Sequence, residues 1–305
     1  MKEILVPVTF DAPELASKNM LNTVLGSAFK VRDSSTCIAR SEDEAPYWSA
    51  AHFGLDGVDL FKSAHQEEQR KILKLASGQI LEEAYFIEKS GMTYTAKMIL
   101  LSETTQEKML YSLFSSDEAA HLHHVLSILG KSPCAKSAGP FINLLSDMIR
   151  EGDRGSLVFL IQVVLEGWGL LHYRTLAENC VNKGVRDKLR LILKDEARHH
   201  GSGMIITKAN GLDARQKSYV AETLVEFLKL IQCGPRDLVG AMEIVLGHFS
   251  TAQRLKIFKE LNSEQTSMKK IEIIRSLIVQ GGGAEIIPQL EEAGMMKPLA
   301  AKECA

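Results

Sequence analysis

Asp117-Glu118-Ala119-Ala120-His121 and Asp195-Glu196-Ala197-Arg198-His199 are two copies of one pattern, and an acidic position on an apolar helical stretch precedes each. On a helix, residues three apart share a face, so each Glu-x-x-His offers one carboxylate oxygen and one imidazole nitrogen to a single ion. Two such copies, with one glutamate from each of two further helices, make the donor set of a dinuclear metal centre inside a four-helix bundle. The expected metal ligands are Glu83, Glu118, His121, Glu166, Glu196 and His199. A single copy would carry little weight, because Glu and His often meet at this spacing on exposed helices. Repetition carries the inference.

Glu166 is the most telling of the six. Residues 157–165 are apolar except for Gln162, and a helix that is apolar all round is buried. A carboxylate placed there needs a proton, a partner or a metal, since desolvating the bare charge is expensive. On the first helix Glu82, Glu83 and Glu88 compete. Glu83 is preferred because it shares a face with Ala76, Gln79, Ile80 and Ile87, whereas Glu82 is flanked by Gly78 and Lys89 on its stripe, and Glu88 reads with Glu67 and Glu68 as solvated acid. Glu83 and Glu118 are 35 residues apart about a turn near Leu101, and Glu166 and Glu196 are 30 apart about a turn near Lys183. At about 1.5 Å per residue each pair sits within roughly a turn of the same height.

Asp117 and Asp195 stand four residues before each histidine, and they are expected to orient the ligating imidazoles by hydrogen bonding. His123, His124 and His200, like His52, His65 and His172, read as surface or core histidines. Tyr85, Tyr173 and Trp168 read as core aromatics.

The elements that must position these residues are helical. A pattern with apolar residues three and four apart starts at Ser63 and reaches about Leu101. A second helix starts among the capping residues 102–107 and stops at Gly130. After a linker with Pro133 and Pro140 and a short helix at 141–151, Asp153 or Ser156 caps a third helix that runs to about Val181. The fourth extends from Gly184 to Gly211. Residues 1–62 form an arm with Trp48 and Tyr47 as anchors, 63–210 the bundle, and 211–305 additional helices of the same domain, near 214–232, 235–249 and 251–278. Gly281-Gly282-Gly283 and the tail from Pro288 read as a loosely held end.

With 45% hydrophobic residues and a formal charge of −2 in 305 residues, the chain lacks a basic field for nucleic acid or an anionic membrane. No apolar run approaches the roughly 20 residues that span a bilayer. The five cysteines, Cys37, Cys134, Cys180, Cys233 and Cys304, form no Cys-x-x-Cys, and no export signal opens the chain. A cytoplasmic protein is expected, without an iron–sulfur module of its own.

The set of Glu83, Glu118 with His121, Glu166, and Glu196 with His199 resembles that of the ferritin-like di-iron carboxylate oxygenases and oxidases, over about residues 63–210. Asp117 and Asp195 before the ligand glutamates are similar to ribonucleotide reductase small subunits and bacterial monooxygenase hydroxylases. The 35-residue interval is similar to that of arylamine N-oxygenases. The resemblance implies an all-α, ferritin-like four-helix bundle with an N-terminal arm and additional C-terminal helices. It further implies two iron ions, with manganese the alternative, and O2 as co-substrate. The reaction would be hydroxylation, N-oxygenation, desaturation or carbon–carbon cleavage of a small organic substrate. Manganese catalase-like peroxide dismutation and iron storage are the rival readings. The partners implied are that substrate, a separate electron donor (a ferredoxin or reductase) and a second copy of the chain.

Overall fold

The computed structural model describes residue 18 and residues 20–32, 45–133 and 139–305. The expected features on 1–17 and 33–44, and Cys37 and Cys134, lie outside the described residues. The fold is all-α: among the described residues there is no β-strand, only an isolated bridge between Trp48 and Cys180. The chain forms two compact units, each assembled from two stretches. The first is Met1–Glu42 with Leu81–Glu151, and the second is Asp43–Ile80 with Gly152–Ala305. This differs from a linear division at 62 and 210, because one continuous helix, α4, leaves the second unit and enters the first at residue 81. No change of composition marks that crossing.

The first unit contains α1 (Met20–Arg32), α4 (Gln66–Leu101) from residue 81 onward, α5 (Thr105–Leu129) and α6 (Pro140–Glu151). Thr104 begins α5 by accepting from the Glu107 N–H, and Gly130 ends it at φ 72°, a left-handed conformation that favours glycine. α4 and α5 form an antiparallel hairpin sewn by rings: Tyr94 meets Tyr111 edge-on at 6.4 Å, and Tyr111 meets Phe114 at 5.9 Å. Lys97 Nζ donates to the Ile149 and Arg150 carbonyls at 2.7 and 3.1 Å, closing the C-terminal end of α6 onto α4. α1 joins through Phe29, stacked on His123 at 4.3 Å.

The second unit opens with α2 (Ala50–Phe53), α3 (Asp59–Ser63) and the start of α4. It continues with α7 (Arg154–Leu157), a π-helix (Val158–Leu165), α8 (Glu166–Asn179) and α9 (Lys183–Asn210). After these come α10 (Ala214–Gln232), α11 (Arg236–Leu246), α12 (Thr251–Glu260), α13 (Ser263–Gln280), α14 (Ile287–Glu292) and α15 (Ala301–Cys304). Trp48 is fully buried and donates from Nε1 to the Leu176 carbonyl at 2.8 Å, so the expected aromatic anchor fastens this stretch to α8. The stretch expected over 251–278 is two helices, broken at Asn262, which takes φ 50°.

The end of the chain is packed, not loose. Ala301 and Cys304 enter a core with Leu55, Phe61, Ile72, Leu238, Ile257 and Phe258. Gln232 Nε2 donates to the Gly294 and Lys297 carbonyls. The three glycines are where the chain passes against the π-helix: a Cβ on Gly281 or Gly283 would come within 2.6 Å of Val163 Cγ1 or Phe159 Cζ. Glycine composition alone does not separate a flexible segment from one pressed against a neighbour.

Among the described residues one helical stretch, Arg154–Asn179, is long and apolar enough by length and composition to cross a membrane. Residues 158–164 within it are all buried, as they would be in a core helix of a globular protein.

Candidate metal centre

Each unit brings two carboxylates and one imidazole together. In the first, Glu88, Glu118 and His121 have ligand atoms within 4.8 Å of one another, and all three side chains are buried. Here Glu88 takes the place expected for Glu83, which lies on the exposed side of α4. The buried stripe of α4 in this unit runs through Leu81, Ala84, Tyr85, Glu88, Thr95 and Met98. The stripe that favours Glu83 starts from Ile72 and Ala76, which face the core of the other unit. The helix changes its buried face where it changes unit, so extrapolating one phase across residue 81 selects an exposed glutamate instead of the buried Glu88.

The sequence carries a signal that would have found Glu88. From Glu88 to Glu118 is 30 residues and to His121 is 33; from Glu166 to Glu196 is 30 and to His199 is 33. Residue 103, midway between 88 and 118, is the middle of the loop joining α4 to α5. Residue 181, midway between 166 and 196, is the middle of the loop joining α8 to α9. Helices antiparallel about a turn bring to one height the residues equidistant from it.

His121 Nδ1 lies 3.2 Å from Glu88 Oε2. Gly91, one turn beyond Glu88, faces the Glu118 carboxylate so closely that a Cβ there would collide with Oε2. The absent side chain lets Glu118 lie against the α4 backbone.

In the second unit Glu166, Glu196 and His199 have ligand atoms within the same 4.8 Å limit; Glu196 and His199 are buried and Glu166 is half-buried. His199 Nδ1 stands 3.8 Å from Glu196 Oε1. Donors held about 2.1 Å from one ion at angles between about 90° and 130° stand about 3.0 to 3.8 Å apart, so both His–Glu separations suit neighbouring vertices of a coordination shell. In both units it is Nδ1 that faces the carboxylate. Two adjacent carboxylates, both buried in the first unit and one of them buried in the second, would carry a formal charge of −2 when ionised, which one divalent cation would neutralise. The donor chemistry therefore fits a metal ion in each unit, and oxygen and imidazole donors suit iron, manganese or zinc.

The residues leading to Glu166 form a π-helix, a wide turn that concentrates at functional sites. Asp153 caps the helix at its head, accepting from the Ser156 N–H at 3.1 Å. Burial alone would raise the Asp153 pKa, but hydrogen bonds from Ser156, Gln216 and Gly155 outweigh it and hold the carboxyl below its usual range.

Asp117 and Asp195 belong to neither group; Asp195 pairs with Arg198 Nη2 at 2.8 Å. Lys89 Nζ lies 3.4 Å from the hydroxyl of buried Tyr85, and Trp168 stacks on His172. His200, read from the sequence as a surface or core residue, reaches the Gln162 carbonyl through Nδ1 at 2.9 Å. No protein-family model, curated protein or solved structure matches this chain.

Proposed function

We propose that the protein is a di-iron oxygenase or oxidase that activates O2 against a small organic substrate. The observation that carries this reading is the pair of Glu–Glu–His groups, buried except for half-buried Glu166, on an identical 30- and 33-residue spacing. In it, Glu88, Glu118 and His121 hold one ion and Glu166, Glu196 and His199 hold the other. Two ferrous ions held by these residues would supply two electrons to O2. The chain's own residues anchor each ion through one imidazole, neutralise it with two carboxylates and exclude bulk water through the apolar residues 157–165. Carboxylates suit this work because they change between one- and two-oxygen binding as an ion changes charge.

Asp117 and Asp195 are proposed to support the imidazoles, Asp195 while paired with Arg198. The five cysteines include no Cys-x-x-Cys, which favours a separate ferredoxin or reductase as electron donor.

Anaerobic loading with iron(II), followed by O2 and monitored by metal analysis and Mössbauer spectroscopy, tests the reading. Two irons per chain that are oxidised by O2 support it. Fewer than two irons, irons that do not react with O2, or a chain that stays empty in excess iron(II) refute it. Preferential binding of two manganese ions with turnover of peroxide would replace the oxygenase with a peroxide dismutase.

A further inference from the structure

We propose that His200 and Gln162 are positioning residues that lock the wide-turn register by which Glu166 joins Glu196 and His199, an inference that rests on the metal reading above. In an α-helix the Glu166 N–H would donate to the carbonyl four residues back, that of Gln162. In this chain it donates five residues back, to Ile161. The Gln162 carbonyl accepts instead from His200, whose Nδ1 lies 2.9 Å away. A carbonyl only accepts, so His200 Nδ1 carries the proton.

The side chain of Gln162 holds the same turn of α9. Its Nε2 donates to the His199 carbonyl and to Ser202 Oγ, each at 3.0 Å, and Ser202 Oγ donates to that carbonyl at 2.8 Å. The backbones meet as well, since a Cβ on Gly203 would collide with Cβ of Gln162. From the other side, a Cβ on Gly167 would stand 2.8 Å from His200 Cε1. One residue of the π-helix is thus gripped through its carbonyl, its amide and its Cβ by the turn that carries His199.

The register matters because successive α-helical residues are about 100° apart in azimuth. Relaxing one wide turn to an α-turn rotates everything after it by about that angle and swings Glu166 away from His199. Such a π-helix survives only where its surroundings over-determine it.

The test uses the full chain as His200→Phe, which removes the donor, His200→Asn, whose amide keeps a donor near the Nδ1 position, and Gln162→Met. Two readouts are taken: amide hydrogen exchange across 158–167 without metal, and cobalt(II) titration followed by its visible spectrum. His200→Phe and Gln162→Met are expected to speed exchange in that segment and to weaken the second cobalt(II) equivalent at least tenfold, leaving the first unchanged. His200→Asn is expected to restore both. Wild-type exchange and two wild-type equivalents in His200→Phe, or an Asn variant no better than the Phe variant, would overturn the proposal. Should His200→Phe fail to fold by circular dichroism, Gln162→Met decides by the same criteria. A wild-type chain that takes up no cobalt(II) sinks the metal reading, while the exchange data still judge the lock.

Discussion

The two Glu–Glu–His groups share one spacing but not one construction. In the first unit the leading carboxylate, Glu88, sits on a regular α-helix and is buried, with His121 Nδ1 at 3.2 Å. In the second, Glu166 follows a π-helix and is half-buried, and the Glu196–His199 separation is 3.8 Å. The same donors are thus held once by ordinary hairpin geometry and once by a wide turn that needs outside support. The first group is the more buried, and the second is the more accessible.

The largest effects should come from the leading glutamates. Glu88→Ala and Glu166→Ala are each expected to reduce metal from two ions per chain to one and to abolish reaction with O2. Glu83→Ala and Glu67→Ala should keep both ions, as metal analysis after gel filtration will report. If Glu83→Ala loses an ion and Glu88→Ala does not, the first group is wrongly assembled.

Next come the glycines that allow each group its approach. Gly91→Ala pushes a methyl into the Glu118 carboxylate and should weaken the first unit's ion, with a stability loss of about 1–3 kcal/mol on denaturant unfolding. Gly203→Ala pushes against Gln162 and should weaken the other ion instead. Equal effects of the two changes on both ions would erase the contrast.

The order of filling sharpens the comparison further. Because all three donors of the first group are buried whereas Glu166 is only half-buried, substoichiometric cobalt(II) is expected to occupy the first group first. Calorimetry should then show that Glu88→Ala removes the tighter phase and Glu166→Ala the weaker one.

The smallest effects belong to the caps. Asp153→Ala and Thr104→Ala each remove an N-cap acceptor and should lower stability by about 1 kcal/mol. They differ in pH dependence. The Asp153 carboxyl is held below its usual range, so its contribution is complete above about pH 4 and fades as pH falls through the lowered value. The melting-temperature gap between wild type and Asp153→Ala should close in acid, whereas the gap for Thr104→Ala should not.

Much of this was legible in the chain. α5 begins and ends at residues that capping chemistry marks, Thr104 and Gly130, and α9 ends at Gly211. Such signals are local, and a polar side chain or a glycine acts on a helix end wherever that end lies in the fold. Four of the expected ligands fall into the two groups for the same reason, since Glu-x-x-His is a spacing along one helix, and Glu166 joins them from the apolar stretch that marked it. Glu83 lies outside both groups because its choice rested on a buried face, and a face is defined by what packs on it.

The sequence by itself therefore determined the helices, their caps and the donors that repeat at a fixed interval. Only the tertiary structure decided which side of α4 is covered, that Gly281 and Gly283 bear on the π-helix, and that His200 takes the carbonyl which Glu166 passes over. Those outcomes depend on contacts between residues distant in the chain, and helical periodicity does not encode them.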